Sequence, residues 1–159
     1  MKIMVIDDVS MNILRLKQAA KSFGAVEGYQ DARAGLEALQ FAYLTSAPYD
    51  VLFLDIVMPE MSGFDVLAAV VKMGADLPPA ARTKVVMVTA RSQEESVRQA
   101  IRGGASAYVI KPYSDEKIHE LIRRLTGAEA GTSERSEDAH GGGASLDRAA
   151  PEGEGEKAA

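Results

Sequence analysis

The chain has 159 residues, 47% of them hydrophobic, no cysteine and a formal net charge of −5. That length and apolar content suffice for one domain with a core, and the absence of cysteine excludes disulfides and thiolate metal sites. No basic arm or stripe suggests a binder of phosphate backbones, so nucleic acid is not an expected partner.

The charge is uneven. Of 23 acidic and 18 basic residues, 15 and 15 lie in residues 1 to 126, which leaves 8 and 3 in residues 127 to 159. The opening "MKIMVIDD" reaches its first acid too early for the apolar region of a signal peptide, and no apolar run approaches the ~18 residues of a membrane span. A soluble, cytoplasmic protein with no membrane partner is expected.

Short β-branched runs alternate with longer stretches of helical period, the pattern of a parallel sheet flanked by helices. In chain order the strands are "KIMVI" at 2 to 6, "VEGYQ" near 26 to 30, "DVLFL" at 50 to 54, "KVVMV" at 84 to 88 and "AYVI" at 107 to 110. The second is mixed in polarity and fits an edge, whereas "DVLFL", "KVVMV" and "KIMVI" are apolar almost throughout, as strands buried on both faces are. Helices are predicted at roughly 11 to 23, 33 to 46, 63 to 73, 93 to 102 and 115 to 126. "SGFD" at 62 to 65 and "SQEE" at 92 to 95 each place a serine cap three positions before an acid, and Ser114 precedes two first-turn acids. "GADLPPAART" at 74 to 83 reads as a loop because two prolines remove donors there. Residues 1 to 126 form the predicted domain. Residues 127 to 159, rich in Gly, Ala and Glu with one leucine and no aromatic residue, are expected to be a disordered acidic tail, since they cannot bury enough surface to offset ordering entropy.

In open parallel sheets the functional crevice lies beyond the carboxyl ends of the strands. The first predicted strand leads into Asp7 and Asp8, the third into Asp55, the fourth into Thr89 and the fifth into Lys111. Singly, each has a bland reading: turn and capping chemistry for the acids, a backbone-bonded hydroxyl for Thr89, a solvated charge for Lys111. Strand propensity does not require their joint appearance at successive strand ends. Two carboxylates about 4 Å apart repel by about 4 kcal/mol at an effective dielectric near 20, so such a cluster raises its own pKa values or recruits a cation. With oxygen ligands only, that cation is hard, and Mg²⁺ suits one or two carboxylates together with a phosphate oxygen. A phosphoryl group would fill the remaining anion position, with Asp55 as the nucleophile that accepts it.

The set "IDD" at 6 to 8, "LDIVMPEMSG" at 54 to 63, "TA" at 89 to 90 and "KP" at 111 to 112 resembles the receiver domain of two-component response regulators, over residues 1 to about 126. The resemblance implies a flavodoxin-like, doubly wound α/β fold with five parallel strands in the order 2-1-3-4-5 and five helices. It implies Asp55 as phosphoacceptor, Asp8 as direct Mg²⁺ ligand, Asp7 as the acid that holds a metal-bound water, and the Val57 carbonyl as a further ligand. Lys111 would pair with phosphate oxygens, Thr89 would bond to one after phosphorylation, and Tyr108 would turn inward as Thr89 moves, altering the surface of the fourth helix, fifth strand and fifth helix. The Lys111-Pro112 peptide is expected to be cis on the same ground. Val57 and Arg91 occupy the positions that tune dephosphorylation rate; an apolar Val57 cannot orient a water, so slow autodephosphorylation is expected.

The implied function is a stand-alone response regulator: a signalling module, not an enzyme acting on external substrates, that takes its phosphoryl group from a sensor histidine kinase. It would pass the signal to a protein target or a histidine phosphotransferase, as a monomer or a weak phosphorylation-dependent dimer. Two alternatives remain open at this point. One is a receiver fragment whose output domain lies outside this chain. The other is an aspartyl-nucleophile phosphatase resembling the haloacid-dehalogenase class, disfavoured because Val57 stands where that class has its acid. Neither His119 nor His140 looks like a phosphotransfer histidine.

Overall fold

The computed structural model describes residues 1 to 90 and 94 to 128. Arg91, the Ser92 cap and residues 129 to 159 of the predicted tail lie outside the described residues. Five strands, β1 (Lys2–Ile6), β2 (Ala25–Tyr29), β3 (Val51–Asp55), β4 (Lys84–Thr89) and β5 (Ala107–Ile110), alternate with helices α1 (Ser10–Ala20), α2 (Ala32–Leu44), α3 (Gly63–Met73), α4 (Glu94–Arg102) and α5 (Asp115–Thr126). All strand pairs are parallel and the order is β2-β1-β3-β4-β5, as the family resemblance implies.

The two-residue period of a strand divides the core. Ile3 and Val5 of β1, Val51 and Phe53 of β3, and Val86 and Val88 of β4 meet Leu16 of α1 and Ile118, Leu121 and Ile122 of α5 on one side. Met4 and Ile6, Leu52 and Leu54, and Val85 and Met87 meet Leu39 of α2, Val66, Leu67 and Val70 of α3 and Ala100 of α4 on the other. Central β3 is therefore buried at every position, while β2 has one paired edge and stays partly exposed. At the α1–α5 seam the His119 ring packs edge-on against Phe23, and its Nε2 lies 2.8 Å from the Ala19 carbonyl oxygen.

Several element ends differ from those predicted. Asp55 and Thr89 are the last residues of their strands and not the first residues after them, because the parallel ladder runs on: Asp55 is in register with Val88, and Thr89 with Ile110. Helix α1 ends at Ala20, after which Phe23 N bonds to Ala20 O at 3.0 Å in a tighter turn. Helix α2 ends at Leu44, just before Ser46 takes a left-handed φ of 57°. The proline loop contains a short 3₁₀ turn, Pro79–Ala81, and Arg82 donates to the carbonyls of Leu77 (2.8 Å) and Ala75 (3.1 Å) that follow α3.

Candidate functional site

Three strands of this sheet deliver side chains to one point. Asp7 follows β1, Asp55 closes β3 and Lys111 follows β5, each in phase with residues that face α1 and α5. Asp7 is 1% exposed and Asp55 8% exposed, so both carboxylates sit at the floor of the crevice. One oxygen from each of Asp7, Asp8 and Asp55 lies within 4.8 Å of the others, a spacing that fits shared ligation of one ion. Lys111 Nζ donates to Asp7 Oδ2 at 2.9 Å and lies 3.7 Å from Asp55 Oδ1. Asp7 Oδ1 accepts from the Val9 amide (2.9 Å) and from Asn12 Nδ2 (3.1 Å).

The electrostatics follow from this packing. Burial pushes the Asp55 carboxyl up to about 6; the Lys111 ammonium pulls it down, Asp7 and Asp8 push it up, and the Ile56 backbone amide pulls it down. Burial outweighs the nearby cation here because one ammonium is shared between two carboxylates. Two buried acids, Asp7 and Asp55, with the half-buried Asp8 and one lysine make a group short of positive charge. The donor set is all oxygen, which fits a hard divalent cation that would be held by Asp8, Asp55 and, directly or through water, Asp7.

The turn after Asp55 is built so that this carboxylate keeps its oxygens for the cluster. Ser62 accepts from the Phe64 amide at 3.0 Å and Asp65 accepts from the Ser62 amide at 3.1 Å, so a capping box opens α3 without drawing on Asp55. Gly63 closes the turn, donating to Ile56 O at 2.9 Å, and a Cβ at this position would lie 2.2 Å from the Asp55 carbonyl oxygen. Only glycine admits that approach. Val57 stands out of the turn, 73% exposed.

Thr89 is buried at the end of β4, and the Lys111 amide donates to its carbonyl at 2.7 Å. Tyr108 is 41% exposed, facing the groove beside β5. Its register partner is Met87, two residues before Thr89, so Tyr108 and Thr89 emerge diagonally on one face of the sheet. The Lys111-Pro112 peptide is cis. Below it, burial pushes the Tyr113 hydroxyl up to about 12, and Arg15 of α1 reaches across to donate to the Tyr113 carbonyl at 3.4 Å.

The structure thus brings Asp7, Asp8, Asp55 and Lys111 together, with Thr89 at the neighbouring strand end. Sequence reasoning passed over Asn12 and the specific need for glycine at position 63. The first has no signal short of knowing where α1 docks, whereas the "MSG" that opens α3 does mark the second.

Residues 3 to 123 match the family model described as response regulator receiver domain. The chain belongs to this family. Among curated receiver proteins, it is 33% identical to chemotaxis protein CheY of Listeria monocytogenes over 124 residues, covering 78% of this chain and 97% of that protein. It is 26% identical to CheY of Thermotoga maritima over 125 residues, 79% of this chain and 97% of the relative. The receiver fold is shared with solved structures, among them CheY4 of Vibrio cholerae (TM-score 0.66, 24% identity, 78% of this chain and 97% of that one). Another is CheY in a CheX-CheY-BeF3-Mg complex from Borrelia burgdorferi (TM-score 0.68, 21% identity, 78% and 87% covered). The chain is therefore a CheY-like signalling receiver, and among its described residues no helix is long and apolar enough to cross a membrane.

Proposed function

We propose that this chain is a stand-alone response regulator that accepts a phosphoryl group from a sensor histidine kinase on Asp55, in a Mg²⁺-dependent reaction in the cytoplasm. The observation that carries this reading is the single ammonium of Lys111 set between Asp7 and Asp55, beside three carboxylates close enough to share one ion. An Asp55 oxygen attacks the phosphorus of a phosphohistidine; a P–O bond forms, the P–N bond breaks, and the imidazole leaves with the electron pair. In this reading Asp8, Asp55 and the Val57 carbonyl would hold the ion directly and Asp7 would hold it through a water. When bound, Mg²⁺ supplies positive charge to the carboxylates and to the transferring phosphoryl oxygens. Lys111 pairs with one of those oxygens and Thr89 donates its hydroxyl to another.

Phosphorylation adds roughly −1.5 to −2 charge at Asp55, which favours the conformer with Thr89 and Lys111 drawn in. Tyr108 then turns from its exposed position toward the space beside Thr89. That movement reshapes a groove of about 590 Å³ between β5 and its flanking helices, lined by Ile101, Tyr108, Ile110, Lys117 and Arg124. A protein target or a histidine phosphotransferase reads this face, and Val57 and Arg91 set how long the signal lasts. The single-domain reading is supported by matches that span 97% of the CheY relatives. A receiver joined to an output domain is the second reading, favoured by 34% identity over 106 residues to the response regulator SaeR of Staphylococcus epidermidis, of which only 42% is matched.

Incubation with acetyl phosphate and Mg²⁺ tests the chemistry. Stable gain of one phosphoryl group, read by intact mass and absent from Asp55→Asn, is expected. Multiple turnover of simple phosphate esters would instead place the protein among phosphatases.

A further inference from the structure

Asp7 has more donors than the phosphoryl chemistry requires of it. Oδ2 meets Lys111, while Oδ1 takes two hydrogen bonds from the start of α1: the Val9 amide at 2.9 Å and Asn12 Nδ2 at 3.1 Å. Asn12 is the third residue of α1. Helical side chains tilt toward the N-terminus, so a short amide in the first turn reaches back to the carboxylate that ends the preceding strand. A carboxylate held at one oxygen by two donors from a docked helix cannot rotate without losing both, and its second oxygen is thereby aimed. We propose that Asn12 is a positioning residue for the acidic cluster: with the Val9 amide it clamps Asp7 Oδ1 and so points Asp7 Oδ2 at Lys111 and the cation site.

This inference rests on reading the cluster as a Mg²⁺ site and adds a residue of this chain to it. The clamp has two effects. It parks Lys111 on Asp7, at 2.9 Å, more closely than on Asp55, at 3.7 Å, so the nucleophile is the less shielded of the two carboxylates. It also keeps Asp7 in one orientation before a cation arrives. Partners that orient metal-binding carboxylates are worth about 10 to 100-fold in affinity. Asn12→Leu keeps the same branched arrangement of side-chain heavy atoms and improves helix propensity but removes the donor.

Calorimetric titration with Mg²⁺ alone, without phosphodonor, is the test. Asn12→Leu is expected to weaken Mg²⁺ by about ten-fold while its melting temperature in EDTA stays near wild type, and Asn12→Gln, which can still donate, is expected to recover part of the loss. In an Asp7→Ala background Asn12→Leu should change nothing further. Unaltered Mg²⁺ affinity in Asn12→Leu, with Asp8→Asn clearly weakened, overturns the clamp and leaves the metal site standing; no Mg²⁺ binding by the wild type overturns the metal site itself. Should Asn12→Leu fail to fold, the wild-type side-chain amide decides by NMR. A downfield Asn12 amide proton that loses its shift in Asp7→Ala supports the clamp, and a solvent-like shift in both proteins overturns it.

Discussion

The β2–α2 and β3–α3 corners each carry an aspartate, Asp31 after its strand and Asp55 as the last residue of its strand, yet the two acids have different surroundings. Asp31 is exposed and accepts from the Arg33 amide at 2.8 Å, serving as the N-cap of α2. Asp55 is buried, ends a strand paired on both sides, and faces Lys111 and two other carboxylates. At its corner the capping is done by Ser62 and Asp65, after a turn long enough to leave Asp55 unused by the helix. An acid at a strand exit is a cap when a free helix amide is its nearest partner. In our reading it becomes a reactive group when other residues have already satisfied that amide and burial has gathered further charges around it.

The largest expected effect separates the two acids completely. Asp55→Asn removes phosphoryl uptake from acetyl phosphate, while Asp31→Asn takes up a phosphoryl group as the wild type does; intact mass reads both. Uptake retained by Asp55→Asn would break the comparison at its root.

A smaller effect lies in the turn after Asp55. In our reading an exposed, apolar Val57 leaves an attacking water unoriented, so Val57→Asn shortens the lifetime of the phosphorylated protein. About ten-fold is expected, below the ~10² of a full general base. Decay of the purified phosphoprotein measures it, and a wild-type lifetime of seconds that Asn leaves unchanged counts against the idea.

The two corners also differ in how they tolerate a methyl group. A Cβ at Gly63 meets the Asp55 backbone at 2.2 Å, whereas a Cβ at Gly35 of α2 meets the Ile6 side chain, at 2.5 Å. Gly63→Ala should therefore cost about 1–3 kcal/mol in urea unfolding, as overpacking does. Gly35→Ala should cost less, because a side chain yields more readily than backbone and helix propensity returns about 1 kcal/mol. The reverse order would show that the turn after Asp55 moves more freely than its contacts suggest.

The remaining effects have opposite signs. Asp31→Ala loses a cap and about 1 kcal/mol. Asp55→Asn should raise the melting temperature at pH 7 in EDTA. Its carboxyl titrates at about 6 in the folded chain, above the ~4 of an unfolded aspartate, so ionising it disfavours the fold. That penalty is complete above pH 6, shrinks as the pH falls from about 6 toward 4, and is gone below the unfolded value. Scanning calorimetry from pH 4 to 8 follows the gain. An Asp55→Asn advantage that persisted at pH 4 would have to come from something other than the buried charge.

Much of this was legible in the residues. The alternation of apolar runs with helical periods yielded all five strands and five helices, and "SGFD" marked the α3 capping box because a cap is a local event between neighbours in sequence. The succession Asp7, Asp8, Asp55, Thr89 and Lys111 singled out the strand exits. Strand ends were read one residue short at Asp55 and Thr89, since the ladder that extends them belongs to adjacent strands. Asn12 was invisible for a similar reason: its amide has meaning only once α1 lies over the end of β1.

Sequence by itself determined the periodicity, the caps and which residue types stand at the strand exits, because these depend on backbone preference and on spacing within a few positions. Only the tertiary structure decided that Lys111 rests nearer Asp7 than Asp55 and that burial lifts the Asp55 carboxyl. Gly63 likewise meets the Asp55 backbone only in the folded turn. Each of these is a distance between groups that the chain brings together by folding, and charge interaction and desolvation depend on that distance and on the solvent it excludes.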